Sequence, residues 1–449
     1  MIVLVETLQE QAKNAGVSLV RVTYCDNANL IRAKAIPLSG LASAAQYGIG
    51  FSVAQQALPM MSDTVLPASG LVPSGETWLV PDSATFRPLP YSPANAIVLG
   101  DFQTANGQPW EHCPRSCLKR AVAHASAEGI EILAAFEPEF YLLRPAGTDG
   151  FEPVDQTNFA VTSALDRSDA MLLDLVETLN AMGLDVQMIH PESGPGQFEV
   201  AIRHAQAVDA ADRHVLLREA VRGVALRHGL AVSFAAKPFP EKVGSGNHLH
   251  LSVWKKGRNV LYNRGDPLHL AAEGYAWIGG LLAHIHGLCA LTIPSVNSYQ
   301  RLLPHHWAGA YACYGGDNRE AAVRVITPRR GAESMNVELK TVDGSANPYL
   351  ALAGAIAAGL DGLRRGLHPG EPVEGDPGLL SDDERARRHI RPVPHNLERA
   401  LDELERDAVL LQALGPPLAR SYMAVRRGEW EALKDLSPAE QAHQHLLKY

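Results

Sequence analysis

Two glutamates at alternate positions inside an apolar segment constrain the fold of this chain more than any other feature. Glu137 and Glu139 lie between the apolar runs 133–136 and 140–143. Because alternate side chains of a β-strand point to one face, the segment predicts a strand with both carboxylates on the same side. A solvated strand face explains most isolated Glu-x-Glu pairs, but the apolar flanks favour a buried pair. Two buried carboxylates repel each other unless a cation lies between them.

Two histidines repeat this spacing further along the chain. His248 and His250 follow the turn Gly244-Ser245-Gly246 and alternate with apolar residues, so both imidazoles are expected on one face of a strand. The glycines would let the main chain approach a ligand closely. Taken alone, a His-x-His pair is more often structural than metal-binding, and such turns are common in loops without ligands.

Three further carboxylates extend the candidate metal site. Glu192 and Glu199 flank the Gly/Pro loop 194–196, and Glu338 lies in the alternating segment 336–340. Carboxylate oxygens with an imidazole suit Mg²⁺ or Mn²⁺, and this many carboxylates suit more than one ion. Zinc fits less well, because the cysteines lack the spacing of zinc ligands.

Arginines are the third element of the pattern. Arg301, Arg319 and Arg324 lie between the histidine pair and Glu338 in the sequence. Guanidinium groups near a site with metals and carboxylates commonly bind carboxylate and phosphoryl oxygens. Each arginine taken singly is as readily explained as a solvated surface residue. That explanation is adopted for Arg329 and Arg330, which follow a proline.

The length indicates two domains. The chain has 449 residues, and a single hydrophobic core stops growing near ~250–300 residues. The residue pattern changes near position 108, which predicts domains 1–108 and 109–449. With 40 basic and 49 acidic residues the formal net charge is −9, which argues against a nucleic-acid partner. Five scattered cysteines argue against a disulfide framework.

Neither a targeting signal nor a membrane span is predicted. Residues 1–13 contain only a short apolar run before an acidic residue, unlike a signal peptide. Residues 275–294 contain no Asp, Glu, Lys or Arg, but their glycines and histidines favour a buried core helix over a membrane span. We therefore expect a soluble, cytoplasmic protein with no membrane partner.

Periodicity predicts a small β-rich unit followed by alternating strands and helices. In the N-terminal unit, short strands are expected at 17–24, 31–36, 77–80 and 96–99. In the remainder, strands are expected at 132–143, 186–190, 231–234 and 248–254. Helices are expected at 115–128, 170–182, 207–228 and 346–363 and through the tail 396–449.

Together these segments resemble the glutamine synthetase family. The resemblance rests on seven motifs in the family's order: Glu137-Pro138-Glu139-Phe140, Pro191-Glu192 with Gly196-Gln197-Phe198-Glu199, Lys237-Pro238, Gly244-Ser245-Gly246-Asn247-His248-Leu249-His250, Asn297-Ser298-Tyr299-Gln300-Arg301, Asp317-Asn318-Arg319, and Val337-Glu338 followed by Ala346-Asn347-Pro348-Tyr349-Leu350. It implies an α+β fold, with a small N-terminal β-grasp domain and a larger catalytic domain built on a curved antiparallel sheet. It also implies a homo-oligomer of hexameric rings, often stacked as a dodecamer, with active sites between subunits.

The resemblance also implies a role for each motif residue. ATP would phosphorylate the γ-carboxylate of glutamate, and an amine would then displace phosphate from the γ-glutamyl phosphate. Two or more Mg²⁺ or Mn²⁺ ions would be bound. The ligands of the ion nearer the amino acid would be Glu139, Glu192 and Glu199. Those of the ion at the ATP phosphates would be Glu137, His248 and Glu338. The other expected site residues are Gly244, His248, Arg301 and Lys340 for substrate, Ser252, His250, Arg319 and Arg324 for ATP, and Arg319, Arg301 and Glu139 for catalysis.

Several positions depart from the pattern of the enzymes that use ammonia. Trp307 stands where those enzymes have a flap glutamate, and Ser52 stands where they have an aspartate beside Phe51. Val243 and Lys340 replace an asparagine and an arginine. An amine site that includes Trp307 and Phe51 but lacks both acids cannot satisfy a desolvated ammonium ion. We therefore expect a γ-glutamylamide synthetase, a ligase of glutamate with a hydrophobic alkyl or aryl amine.

Three alternatives stay open from the sequence. The chain could be an ammonia-using glutamine synthetase, a non-catalytic regulator that kept the fold, or a metal hydrolase. The retained carboxylates argue against the regulator, because buried carboxylates are costly once no metal is bound. The arginines and the Gly-Ser-Gly turn favour phosphoryl transfer over hydrolysis.

Overall fold

The computed structural model describes residues 7–147 and 150–449. Residues 1–6, on which the argument against a signal peptide mainly rests, lie outside the described residues. All five cysteines are buried and free, as their scattered spacing predicts.

A mixed sheet forms the N-terminal unit. Its strands are β1 (Leu19–Cys25), β2 (Ile31–Pro37), β3 (Ile49–Ser52), β4 (Glu76–Pro81), β5 (Arg87–Pro88) and β6 (Asn95–Gln103). They are arranged β2-β1-β6-β4-β3, with β5 also paired to β6, and β1 and β6 run parallel. Alternate residues of β1 and β6, including Val20, Val22 and Val98, pack into one hydrophobic cluster.

Two short helices, α1 (Leu8–Asn14) and α2 (Leu41–Tyr47), complete this unit. Their residues Leu8 and Leu41 join the same hydrophobic cluster. The sequence analysis predicted only strands and turns here and was wrong on this point. Each helix has seven residues, too few for a helical apolar period to stand out.

An eleven-stranded sheet dominates the rest of the described chain. Its strands are β7 (Glu131–Ala146), β8 (Gly150–Pro153), β9 (Val186–Pro191), β10 (Gln197–Ile202), β11 (Ala205–Gln206), β12 (Ala231–Ser233), β13 (Asn247–Lys255), β14 (Arg258–Asn259), β15 (Tyr311–Gly316), β16 (Ala321–Ile326) and β17 (Asn336–Leu339). The main order is β15-β16-β17-β13-β7-β10-β9; β8, β11 and β12 pair with β7, and β14 pairs with β13. The antiparallel arrangement predicted for this sheet holds except at one edge, where β15 and β16 run parallel.

Helices pack around this sheet and form the C-terminal tail. They are α3 (Pro114–Ala127), α4 (Thr162–Ala181), α5 (Ala207–Arg227), α6 (Ala272–Thr292), α7 (Pro348–Arg365), α8 (Asp382–Arg387), α9 (Leu397–Arg406), α10 (Ala408–Leu414), α11 (Pro416–Leu433) and α12 (Pro438–His445). Helix α4 begins at Thr162 rather than at the predicted 170. Its first turns are mostly polar, so they lack the apolar period that marks the rest of the helix.

Helix α6 is the uncharged segment of the sequence analysis. It is long and apolar enough to cross a membrane, but 78% of its most apolar window is buried inside the protein, as in a core helix. Glycines let it contact α7 closely. A Cβ on Gly280 would lie 2.1 Å from the carbonyl oxygen of Ala358, and one on Gly362 would lie 2.1 Å from that of Ala276. The prediction of a buried core helix is confirmed.

Candidate active site

A row of polar side chains crosses one face of the large sheet. Residues directly opposite each other on paired strands project to the same face. The register pairs His190 with Glu199, Glu199 with Glu139, His248 with Glu137, His250 with Glu338, and Glu338 with Arg324. Alternation within each strand and pairing between strands therefore bring carboxylates and imidazoles from β9, β10, β7, β13 and β17 together, with Arg324 on β16 at the end.

One cluster of possible metal ligands consists of Glu137, His250 and Glu338, with ligand atoms all within 4.8 Å of one another. Nε2 of His250 lies 3.1 Å from Oε2 of Glu137. Nδ1 of His250 donates to the side-chain oxygen of Asn336 at 2.8 Å. That hydrogen bond keeps a proton on Nδ1, so a metal ion that displaced the proton of Nε2 would find the Nε2 lone pair directed into the cluster.

A second cluster consists of Glu137, Glu199 and His248. Nδ1 of His248 lies 3.2 Å from Oε1 of Glu338, and its Nε2 lies 3.8 Å from Oε1 of Glu139. This imidazole therefore lies between carboxylates from three strands, at the centre of the row.

The third cluster contains His190, which was not among the predicted site residues. It groups with Glu192 and Glu199. Nε2 of His190 donates to Glu192 at 2.9 Å, and Nδ1 is buried without a hydrogen-bond partner in the described chain. Nδ1 lies 3.9 Å from Glu199. The sequence signal for His190 is its position one strand away from Glu199, which becomes visible only once the strand register is known.

Carboxylate repulsion is concentrated at the β10 end of the row. Burial raises the pKa of Glu139 to about 7, and the nearby Glu192 adds to the effect. Burial, together with repulsion from Glu137 and Glu139, raises the pKa of Glu199 to about 10. A divalent cation between these carboxylates would remove the repulsion.

The opposite end of the row carries its own cations. Nη1 of Arg324 and Nζ of Lys340 each lie 3.2 Å from an oxygen of Glu338. Burial by itself would raise the pKa of Glu338, but Lys340, His248, His250 and Arg324 outweigh it and hold that pKa well below its usual range. Burial by itself would lower the pKa of His250, but the attraction of Glu137 and Glu338 and the hydrogen bonds to Glu137 and Asn336 together outweigh it and raise that pKa to about 9.

The glycine turn fixes one wall of the site. The main-chain N–H of Gly246 donates to Oε2 of Glu139 at 2.9 Å, and Nε2 of Gln197 donates to the same oxygen at 3.2 Å. The neighbouring Arg301 is buried, and its Nη2 donates to the carbonyl oxygens of Lys340 and Val342 at 3.1 and 3.0 Å. These two hydrogen bonds fix the position of the Arg301 guanidinium.

These elements surround a cavity of about 600 Å³. Most of the predicted site residues line it: Glu137, Glu139, Glu192, Glu199, Gly244, His248, His250, Arg301, Trp307, Arg319, Arg324, Glu338 and Lys340. Ser252 and Phe51 are not among the lining residues. Ser252 lies further along β13, where its hydroxyl accepts a hydrogen bond from the indole of Trp254. Phe51 packs edge-to-face against Tyr24 and Phe102 in the core of the N-terminal unit.

Four large apolar side chains line this cavity while remaining exposed. They form an apolar mouth of Phe159, Met188, Val243 and Trp307, with exposed fractions of 51, 51, 40 and 54%. Trp307 has a φ of 57°. Its main-chain N–H donates to a carboxylate oxygen of Glu320 at 2.9 Å, and this hydrogen bond fixes the loop that carries Trp307. Phe159 and Met188 were not predicted from the sequence. An exposed apolar cluster of this kind commonly marks a ligand site.

Nearly the whole chain matches one family of enzymes. Residues 5–110 match the glutamine synthetase N-terminal domain, and residues 111–443 match the glutamine synthetase catalytic domain. The chain belongs to the glutamine synthetase family and is a ligase of that type. Enzymes of this family use ATP and divalent metal ions, which fits the oxygen and imidazole donors of the three clusters.

Individual relatives cover nearly the full length. A gamma-glutamylpolyamine synthetase, GlnA3, from Streptomyces coelicolor is 38% identical over 98% of this chain and 96% of its own. A glutamine synthetase from Methanosarcina mazei is 32% identical over 96% of this chain and 94% of its own. A solved GmaS/ADP complex has a TM-score of 0.85 at 30% identity, covering 96% of this chain and 97% of that one.

Proposed function

We propose that this enzyme uses ATP to join the γ-carboxylate of glutamate to a hydrophobic alkyl or aryl amine. The observation that carries the proposal is the apolar mouth of Phe159, Met188, Val243 and Trp307 beside the row of carboxylates. Such a surface would bury the apolar part of an organic amine and offers nothing to an ammonium ion. The similarity to GmaS, a gamma-glutamylmethylamide synthetase, supports an organic amine.

The three clusters would bind two or more Mg²⁺ or Mn²⁺ ions. The donor set contains carboxylates and imidazoles and no thiolate, which suits these ions. We propose the metal ligands that the family motifs imply. Glu139, Glu192 and Glu199 would bind the ion nearer the amino acid, and Glu137, His248 and Glu338 would bind the ion nearer ATP. The geometry adds His190 and His250 as further candidate ligands. Bound ions would neutralise phosphate charge and polarise the γ-phosphoryl group.

Residues of the chain position the two substrates. Arg301, whose Nη2 donates to the carbonyl oxygens of Lys340 and Val342, would bind the carboxylate of glutamate. Arg319 and Arg324 line the cavity and would bind the transferred phosphoryl group, with His250 nearby. A γ-carboxylate oxygen attacks the γ-phosphorus of ATP and ADP leaves. The amine nitrogen then attacks the acyl carbon, the carbon–oxygen bond breaks, phosphate leaves, and the amine gives up a proton.

The N-terminal unit would contribute through a neighbouring subunit. Phe51 and Ser52 lie outside the cavity of their own chain, so a role in the amine site requires a second copy. We propose a homo-oligomer of hexameric rings, stacked as a dodecamer, in which Phe51 of one subunit faces the apolar mouth of the next.

A polyamine is the second candidate amine, because the Streptomyces relative is a gamma-glutamylpolyamine synthetase. A polyamine carries a distal cation, which needs an acidic partner. Glu320 is the carboxylate beside Trp307 that could serve, although it already accepts the N–H of that residue. The apolar mouth favours the hydrophobic monoamine.

The test is amine-dependent phosphate release from ATP and glutamate with Mg²⁺. Benzylamine, propylamine and aniline are compared with spermidine, putrescine and ammonium. We expect the hydrophobic monoamines to have the highest kcat/KM. A preference for spermidine or putrescine would establish the second candidate, and a preference for ammonium would overturn both.

A single variant links the preference to the mouth. Trp307→Glu restores an acid at the flap and should lower kcat/KM for benzylamine by about tenfold or more, while raising that for ammonium. Leu303→Glu is the matched control, because Leu303 lies in the same loop, is exposed and does not line the cavity. Equal effects of the two substitutions would contradict a specific role of Trp307.

A further inference from the structure

Lys237 is a buried cation in the wall of the active-site cavity, and the reaction proposed above gives it no role. It lines the cavity, is 9% exposed, and forms the motif Lys237-Pro238 with the proline that follows. Within the described chain its ammonium forms no ion pair and no hydrogen bond; Glu241 attracts it and Arg301 repels it over a longer distance. A buried cation without a partner is costly to the fold, so the donors of Lys237 are free for a ligand in the cavity.

A single asparagine fixes Lys237 relative to Arg301. The main-chain N–H of Lys237 donates to Oδ1 of Asn297 at 2.7 Å, and Nδ2 of Asn297 donates to the carbonyl oxygen of Lys237 at 2.9 Å. Asn297 is fully buried and lies in the 3₁₀ turn Val296–Gln300, which ends at Arg301. Pro238 restricts the backbone of Lys237 further, because a residue before proline is held extended. The two cations are therefore carried by segments that are joined directly to each other.

Arg301 also has an unused donor. Its Nη2 is occupied by the carbonyl oxygens of Lys340 and Val342, but its Nε is buried without a hydrogen-bond partner in the described chain. The buried Asp343 is stabilised by the charge of Arg301, yet the two form no ion pair within the described residues. Two buried cations with unused donors in one wall of a cavity suit an anionic ligand.

We propose that Lys237 and Arg301 together bind the α-carboxylate of glutamate. The inference rests on the proposed function, in which glutamate is the acid that ATP activates. The γ-carboxylate has to reach the phosphoryl group at Arg319 and Arg324, so the α-carboxylate is the group left for this pair. The planar fork of Arg301 binds carboxylate oxygens, and the ammonium of Lys237 adds a point charge from a second segment of the chain.

The pair would make the enzyme selective for an acid with an α-carboxylate. 4-Aminobutanoate has the chain, the amino group and the terminal carboxylate of glutamate, but it lacks the α-carboxylate. With this ligand both cations would stay unpaired in a buried wall. We therefore expect kcat/KM for glutamate to exceed that for 4-aminobutanoate by about 100-fold or more.

Calorimetric titration of glutamate into the full chain tests the binding step, with Mg²⁺ and a non-hydrolysable ATP analogue present and no amine. Lys237→Met should weaken glutamate binding by about tenfold or more, while Lys237→Arg keeps a cation and should weaken it less. The Kd of the ATP analogue should stay within about twofold of the native value in both variants. Lys242→Met is the matched control, because Lys242 lies in the same segment and does not line the cavity.

A kinetic comparison separates contact with the α-carboxylate from a structural role. Phosphate release is measured with glutamate and with 4-aminobutanoate, using whichever amine or ammonium gives the fastest turnover. In Lys237→Met, kcat/KM for glutamate should fall about tenfold or more, and that for 4-aminobutanoate should stay within about twofold. A structural role would lower both values by the same factor.

Three results would overturn the assignment. They are unchanged glutamate binding in Lys237→Met, an equal loss in Lys242→Met, and an equal loss of kcat/KM for the two acids. If Lys237→Met fails to fold, Lys237→Gln provides the same comparison with a polar side chain. The binding measurement contains no amine, so a wrong amine preference would leave the assignment of Lys237 intact.

Discussion

A Cβ on Gly244 would lie 2.5 Å from Cγ of Arg301 and 2.6 Å from the carbonyl oxygen of Ala236. Both distances are below van der Waals contact, so the turn can pack against Arg301 only with glycine at this position. The same turn continues to Gly246, whose N–H binds Glu139. The turn thus sets the position of Arg301 and of a carboxylate of the row at once.

Gly244→Ala should therefore weaken glutamate binding. Displacement of Arg301 removes a charge-assisted hydrogen bond to the substrate carboxylate, so KM for glutamate should rise about tenfold or more, while KM for ATP changes less. Steady-state phosphate release with each substrate varied in turn measures both constants. Gly265→Ala is the control, because a Cβ there meets nothing closer than 3.6 Å. An unchanged KM for glutamate would show that Arg301 does not bind it.

Metal binding should stabilise the fold as well as support activity. Mg²⁺ at 100 times its Kd should add about 2.7 kcal/mol to the free energy of unfolding, measured as a rise in Tm. Glu199→Gln removes one of the repelling carboxylates, so we expect a higher Tm without metal, a smaller rise with Mg²⁺, and activity lower by about 100-fold or more. Glu177→Gln, on the exposed face of α4, is the control. A Tm rise with Mg²⁺ that is as large in Glu199→Gln as in the native chain would contradict the assignment.

Much of the candidate site could be predicted from the sequence, because its residues alternate within single strands. The i, i+2 spacing places Glu137 and Glu139 on one face of a strand, and likewise His248 and His250. This inference needs no knowledge of the partner strands. The grouping of these residues could not be predicted, because it depends on the register between strands that are far apart in sequence. His190 became a candidate ligand only through its register opposite Glu199.

The apolar mouth shows a second limit. Phe159 lies in a loop and Met188 on a short strand, and neither has a local pattern that separates it from an ordinary packing residue. Phe51 shows a third limit of prediction from the sequence. Its expected place in the amine site rests on the resemblance, whereas within one chain it lies in the core of the N-terminal unit. A single sequence does not reveal the arrangement of subunits.

Arg115 should be essential for the attachment of the N-terminal unit. Its guanidinium, on α3, contacts Asp212 on α5 at 2.7 Å and, in the N-terminal unit, Asp82 and Asp101 at 2.9 Å each. Arg115→Met would leave three carboxylates without their shared cation, at a cost of about 3–5 kcal/mol in the free energy of unfolding. Lys119 contacts the same Asp82 and Asp101 but is 39% exposed, so Lys119→Met should cost about 1 kcal/mol or less. Urea unfolding measures both, and similar costs for the two variants would contradict the central role of Arg115.

His284 should make the stability of the helical core depend on pH. Nδ1 lies 2.7 Å from Asp407 and Nε2 lies 3.0 Å from Asp361, which also binds Arg365. The hydrogen bond to Asp407 and that to Asp361 outweigh burial and raise the pKa of His284. A raised pKa in the folded state means that the added stability is fully present below the unfolded pKa of about 6.5 and is lost as pH rises through the folded value.

His284→Gln should therefore lower the free energy of unfolding by about 1–3 kcal/mol near pH 6 and by less near pH 9, in urea unfolding at the two pH values. His286→Gln, two residues further on the same helix, provides a control of opposite sign. Burial and Arg391 lower the pKa of His286, so protonation of this imidazole destabilises the folded state as pH falls. His286→Gln removes that penalty, so its effect on the free energy of unfolding should be more stabilising near pH 6 than near pH 9. The same pH dependence for both variants would show that the pair of carboxylates does not hold His284 in its charged form.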